Sequence, residues 1–243
     1  LDGDQLPDRT TQYAYDVTQQ TGKEVVDAGV LASRTVMSYD LQGRMASSTI
    51  EAYQADGATV DRRDVTTFDY DHRGIRVSAH NVVDARNEQQ EFVEVRDHTT
   101  EYLVDHDNFT GYAQVLEEKT TDTDTGNDVR HVVYTLGHDV IGQWSAGVIV
   151  PVGDEGMAMY IPQGSHLLLY DGHGSTRLLM GWDNTVSKDY AYDAYGLPVG
   201  LDPSQPSAFD PEYAATTLLY SGEQFDPRVA MQYLRARYYD LST

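Results

Sequence analysis

Five times along this chain an aromatic residue is followed by Asp and then, within a few positions, by Gly and often a basic residue. The copies are Tyr15-Asp16 with Gly22-Lys23, Tyr39-Asp40 with Gly43-Arg44, and Tyr70-Asp71 with Gly74 and Arg76. Tyr170-Asp171 with Gly174 and Arg177, and Tyr192-Asp193 with Gly196, complete the set. Adjacent clear copies stand 22 to 31 residues apart, and degenerate ones fill Tyr102–Gly111. Repeats of this length are the mark of stacked supersecondary units, none of which buries its apolar face alone. Asp accepts hydrogen bonds from nearby backbone N–H groups and closes an Asx-type turn, and Gly supplies the positive φ. Tyr packs its ring on a neighbouring strand while its hydroxyl finds a partner, and Arg after the turn crosses to an acidic neighbour. Each unit therefore reads as a β-hairpin.

The composition follows from that unit. Of 39 acidic residues, 28 are Asp and 11 Glu; of 17 basic ones, 14 are Arg and 3 Lys; Tyr numbers 18 against 5 Phe. Asp favours turns, Glu and Lys favour helix interiors, and Tyr suits a pleated surface, so the chain reads as all-β. Its 243 residues suffice for a real core, and 40% hydrophobic content argues against wholesale disorder. A net charge of -22 disfavours nucleic acid, and the absence of Cys excludes a disulfide framework. No apolar run reaches the roughly 18 to 20 residues of a membrane-spanning helix. The start at Leu1 and the absence of a leader pattern suggest a processed or excised piece.

Strands are predicted over Val129–Leu136, Tyr112–Glu118 and His166–Tyr170, with hairpin signals at Asp56-Gly57 and Asp171-Gly172. Gly142–Gly164, with five Gly and two Pro, reads as a long hairpin or insertion loop. Asp210–Thr217 is the best short-helix candidate, with Asp210 as N-cap and Pro211 at the first helical position. Met231–Tyr239 reads as one strand, which puts Arg235 and Arg237 on one face with Met231, Tyr233 and Tyr239. Two like charges on one face call for carboxylate partners, so a structural ion-pair network is the preferred reading.

The repeats resemble the YD repeats of Rhs proteins, of the C component of bacterial Tc toxins, and of teneurins. The second half resembles the Rhs-repeat-associated core domain, on Tyr102–Glu118 (YLVDHDNFTGYAQVLEE), Tyr134–Ile141 (YTLGHDVI) and Tyr170–Leu179 (YDGHGSTRLL). Tyr190–Gly196 (YAYDAYG) and Leu219–Asp240 (LYSGEQFDPRVAMQYLRARYYD) continue it. The resemblance covers about residues 11–240 and implies a lead-in over 1–10, YD-repeat hairpins over 11–98 and a core-like region over 99–243. It implies hairpins wound into a curved sheet or partial scroll, the wall of a hollow shell around a cargo polypeptide. Bacterial members are exported and release a C-terminal toxin by autoproteolysis through aspartates near the core's end. In this chain Tyr238-Tyr239-Asp240 is followed by Leu241, where the family has Pro, and no counterpart of those aspartates is present. No catalytic residue is therefore assigned, and the chain is expected not to be an enzyme.

Other chemistries find little purchase. Gly172-His173-Gly174-Ser175 is a repeat turn, not a nucleophile elbow. No His pair has helical zinc spacing. Asp122, Asp124 and Asp128 set hard oxygen ligands at near-alternate positions and are a weak calcium candidate. Position 12 of an EF-hand counted from Asp122 is Val133, so a solvated acidic turn is the preferred reading. Otherwise no cofactor is expected. The function that results is structural: wall and end closure of an exported Rhs/YD-repeat protein that encloses or presents a C-terminal effector. The alternative is a cell-surface adhesion or recognition module for protein or glycan; a hydrolase on a repeat scaffold ranks last. The expected partners are the rest of the same polypeptide and its cargo.

Overall fold

The computed structural model describes residues 9–16, 19–108, 111–137, 139–146, 149–152, 157–160, 164–199, 215–235 and 237–241. Its strands are β1 (Arg9–Tyr15), β2 (Gln20–Asp27), β3 (Val30–Tyr39), β4 (Met45–Tyr53), β5 (Val60–Tyr70) and β6 (Arg76–Arg86). Then come β7 (Phe92–Asp105), β8 (Gln114–Asp122), β9 (Asp128–Leu136), β10 (Val140–Ser145), β11 (Ile149–Val152) and β12 (Met157–Tyr160). The last are β13 (Gly164–Tyr170), β14 (Thr176–Gly181), β15 (Val186–Asp189), β16 (Gln224–Asp226), β17 (Met231–Tyr233) and β18 (Tyr238–Asp240). The fold is all-β, a succession of antiparallel hairpins. Thirteen strands pair in the order β1 to β10, β13, β14, β15, and the ladder is not closed into a barrel. β11 pairs with β12 apart from that ladder, so the Gly142–Gly164 segment does hold a hairpin, and β16–β17–β18 form a small sheet of their own.

The hairpins share a construction. At the turn end of β3–β4, Ser38 faces Ser47 but Tyr39 faces Met45, which leaves Ala46 as a bulge. The same one-residue slip leaves Thr21 extra in β1–β2 and Arg177 extra in β13–β14. A bulge at this place sharpens the local right-handed twist and lets the Asp turn close.

By packing, the chain divides into two units. Residues 1–69 and 80–98 form the first; residues 70–79 and 99–243 form the second. Strands β6 and β7 contribute to both.

In the first unit, period-two alternation buries Ser33 and Met37 on β3, Met45, Ser48 and Ile50 on β4, and Asp64, Thr66 and Phe68 on β5. Half of those positions are polar. Asn81 satisfies two of them, donating through Nδ2 to Asp64 Oδ1 at 2.5 Å and to Thr66 Oγ1 at 2.9 Å.

In the second unit the strands carry a cover. Val132, Tyr134, Val140, Leu168 and Leu179 cluster with Leu218, and Leu219, Phe225, Ala230 and Leu241 form a second cluster. Thr176 ties strand to cover twice, donating from its N–H to the Leu219 carbonyl at 3.0 Å and from Oγ1 to the Leu218 carbonyl at 2.7 Å.

The expected helix over Asp210–Thr217 falls largely outside the described residues; Ala215–Thr217 within it are not helical. The helical element among the described residues is one 3-10 turn, Tyr220–Gly222.

Candidate functional site: the Asp turns and a buried ionic network

The repeat residues build one turn several times over. Asp40 Oδ1 accepts from the N–H groups of Gln42 (2.8 Å) and Arg44 (3.0 Å), and Gly43 N–H closes on the Asp40 carbonyl at 3.0 Å. Asp71 repeats it with Arg73, Ile75 and Gly74, and Asp171 with His173, Ser175 and Gly174. Asp193 repeats it with Tyr195, Leu197 and Gly196. The four glycines sit at φ between +77° and +92°. Asn87 makes the same turn with Gln90 at φ +64°, a copy without the Tyr-Asp signature. The N–H of Arg44 above all holds the Asp40 carboxyl below its ordinary range, and the N–H of Ser175 does so for Asp171. The preceding tyrosines reach back one hairpin. Tyr39 donates to the Gln20 carbonyl at 2.5 Å, Tyr170 to Val140 at 2.5 Å and Tyr192 to Thr176 at 2.7 Å.

Two details differ from the sequence reading. Gly22 is not the turn glycine of the first copy; it lies within β2 opposite Ala14, and Asp16 caps Gln19 instead. In two copies the arginine after the turn bonds to the Asp of its own turn. Arg44 and Arg177 each fold back through Nε onto Oδ2 of their own Asp40 and Asp171, both at 2.7 Å. Arg76 behaves otherwise and leads into the interior.

Arg76 opens β6, and its side chain is 1% exposed. One guanidinium nitrogen, Nη1, donates to Asp226 Oδ2 and, at 2.6 Å, to the Tyr238 hydroxyl. Nη2 donates to Gln224 Oε1 at 2.6 Å, and the Arg76 N–H donates to the Tyr233 hydroxyl at 2.9 Å. The guanidinium carbon stands 4.3 Å from the ring centroids of both Tyr102 and Tyr233, within cation–π range. Asp226, fully buried, also accepts from Arg228 through Nε at 2.8 Å, Nη2 at 2.9 Å and the backbone N–H at 3.1 Å. Arg228 Nη2 further contacts the Tyr102 hydroxyl.

A second ionic centre adjoins the first. Glu118 on β8 accepts from Arg130 Nη1 on β9 at 3.0 Å, and from Tyr134, Thr217 and Gln224, each at 2.7 Å. Gln224 joins the centres, its Oε1 on Arg76 and its Nε2 on Glu118. Three guanidiniums and two carboxylates thus meet in one hydrogen-bonded network.

Burial alone would push both carboxyls up. The charges of Arg228 and Arg76 outweigh it at Asp226, and that of Arg130 with three hydrogen bonds does so at Glu118, so both end below their ordinary values. Burial raises the hydroxyls of Tyr102, Tyr134 and Tyr238, which stay neutral: the first and last accept from Arg228 and Arg76, and Tyr134 donates to Glu118. All the groups of this network belong to the second unit. Its physical effect is to fasten the small sheet β16–β18 onto β6, β7, β8 and β9 with charge-assisted bonds, and removing one partner of such a buried ion pair costs about 3 to 5 kcal/mol.

Met231–Tyr239 is not one strand. β17 and β18 pair as a hairpin, with Tyr233 opposite Tyr238, and Arg235 sits in the connection at φ +62°. Arg235 and Arg237 therefore share no strand face. Arg235 pairs with Glu223 at 2.8 Å, and Arg237 is exposed. Tyr239 faces outward, while Asp240, opposite Met231, is buried. Of the calcium candidates, Asp122 Oδ1 accepts from the N–H (2.7 Å) and hydroxyl (2.6 Å) of Thr125, and Asp128 pairs with Lys119 at 3.1 Å.

Sequence reasoning missed Glu118, Arg130, Asp226 and Arg228. A signal for two of them exists: in β9 the inward parity runs Arg130, Val132, Tyr134, and in β8 it includes Glu118 and Thr120. A charge in phase with a buried Val and Tyr on a strand marks a buried ion pair. Nothing comparable announces Asp226, which meets Arg76 across 150 residues.

No family model matches the sequence, and no curated protein matches it. Similar solved structures include that of TcdB2-TccC3-Cdc42, at 14% identity and a TM-score of 0.37, over 96% of this chain and 17% of that one. A protein of unknown function from Bacteroides fragilis NCTC 9343 is similar at 14% identity and a TM-score of 0.32, over 49% of this chain and 86% of that one. The Photorhabdus luminescens Tc holotoxin pore is similar at 13% identity and a TM-score of 0.25, over 96% of this chain and 16% of that one. The chain spans about a sixth of the length of the Tc structures it resembles.

Proposed function

We propose that this chain is a wall segment of an exported bacterial Rhs/YD-repeat protein, in which consecutive hairpins enclose or present a C-terminal effector. The observation that carries the reading is the network at Asp226. It holds the terminal Tyr-Tyr-Asp hairpin against the strands of the second unit through Arg76, Gln224 and Arg228. A scaffold of this kind acts sterically. Both network carboxylates are buried and charge-paired, which suits a role in holding geometry. Neighbouring strands shield one another's backbone groups, which leaves few edges for an enclosed unfolded polypeptide to pair with. The Asp turns suit this role because each fixes one hairpin locally, and further copies extend the wall without new long-range contacts.

Electron microscopy of the intact native polypeptide, with limited proteolysis of its C-terminal region, tests this. A hollow particle whose C-terminal segment resists protease until the wall is unfolded is the expected result. A solid particle, or a C-terminal segment cut at the rate of a free peptide, contradicts it.

A further inference from the structure

Within the second unit a cleft of about 710 Å³ opens between segments distant in sequence. Its size falls in the range of small-molecule sites. Tyr112 and Gln114 stand at the start of β8, Asp139 just before β10, Tyr170 at the end of β13, and Glu223 and Arg235 beside the small sheet. Tyr112 is 64% exposed, yet it is oriented: the Arg235 guanidinium lies 5.2 Å from its ring centroid. That guanidinium is itself clamped, Nη1 on Glu223 at 2.8 Å and Nε on the Ala113 carbonyl at 3.2 Å. Two cleft residues, Ser221 (φ +54°) and Arg235 (φ +62°), hold backbone conformations that non-glycine residues rarely adopt. Asp171 lines the cleft but has both oxygens spent in its own turn.

The lining selects among ligand classes. An apolar ligand would strip water from Asp139 and Glu223 without replacing it. An anion would meet two carboxylates against one guanidinium. A polyhydroxylated ring offers an apolar C–H face for the Tyr112 ring and hydroxyls that both donate and accept. We propose that this cleft binds a short neutral saccharide. One sugar ring stacks on Tyr112, its hydroxyls donate to Asp139 and Glu223, and Gln114 and Arg235 donate to its oxygens. The inference stands apart from the encapsulation reading, since a wall segment needs no sugar.

Saturation-transfer difference NMR on the whole chain tests it, with N,N′-diacetylchitobiose, lactose, cellobiose and maltotriose each at about 1 mM. The proposal expects transfer to at least one of these sugars. It also expects about a tenfold loss or more in Tyr112→Ala and in Asp139→Asn, both with unchanged thermal midpoints, and no change in Arg237→Ala. Asp139 is exposed, so its substitution leaves the fold intact. Absence of transfer from all four sugars overturns the proposal, as does wild-type transfer in either cleft variant.

Discussion

The turn at Asp40 in the first unit and the turn at Asp171 in the second are the same object. Each carboxylate takes two N–H groups on Oδ1 and an arginine Nε on Oδ2, and each turn has a glycine in the left-handed region. What differs is what the strands beside them rest on. In the first unit the inward positions of β3, β4 and β5 alternate Met, Ile and Phe with Ser, Thr and Asp, and Asp64 is held by Asn81 with Arg96 at 3.6 Å and Arg62 at 3.8 Å. In the second unit they meet a cover of Leu218, Leu219 and Phe225 and a fully enclosed ionic network. Local turn chemistry makes a hairpin anywhere; only long-range burial makes a layer.

The largest test of that contrast sets Asp226→Asn against Asp64→Asn. The first leaves two buried guanidiniums facing a neutral amide, and a loss of about 3 to 5 kcal/mol is expected by chemical denaturation. The second acts on a pocket with looser ion pairs and should fall well short of that. Equal losses would erase the distinction between the units.

Glycine substitution compares the same turn in two settings. Gly43→Ala should lose about 1 to 2 kcal/mol from the left-handed backbone, since its new Cβ meets only the movable end of Gln19. Gly196→Ala should lose more, because its Cβ would fall within 2.6 Å of Tyr220 Cγ, at the root of a ring that packs on Tyr192 and His173. A thermal-shift series on the two variants reads the difference directly.

The turns were legible in the sequence because their chemistry is local: Asp, Gly and the capped N–H groups lie within four residues. So was the all-β class, from the Asp, Tyr and Val usage that such turns and strands require. The network was not legible, since Arg76 and Asp226 are brought together by the fold and not by spacing. The hairpin at β17–β18 was misread as a strand for a related reason. Its connection, Leu234 to Arg237, carries no Gly, Asn or Asp signal, and the positive φ at Arg235 is held by tertiary bonds to Ala113 and Glu223. Asn87 shows the converse, a turn whose residue types hid its membership of the series.

pH offers a subtler comparison. Asp226 and Glu118 have folded values below the unfolded carboxyl value near 4. Their contribution is complete above about pH 4 and is lost as pH falls through the lower folded values. The buried Tyr102, Tyr134 and Tyr238 are raised, so their contribution is complete below about pH 10 and fades above it. Calorimetry should show the thermal midpoint falling at both extremes, with the acid limb flattened in Asp226→Asn. The smallest effect is expected at Arg237, exposed beside the network, where substitution by Ala should change stability by about 0.5 kcal/mol or less.

Hydrogen–deuterium exchange on wild type and Asp226→Asn, followed segment by segment, tests the central claim that buried charge pairing fastens the terminal hairpin to the second unit. The account predicts that β16, β17 and β18 lose protection while β2, β3 and β4 keep theirs. Protection retained in β16–β18, or lost equally in both units, would contradict it.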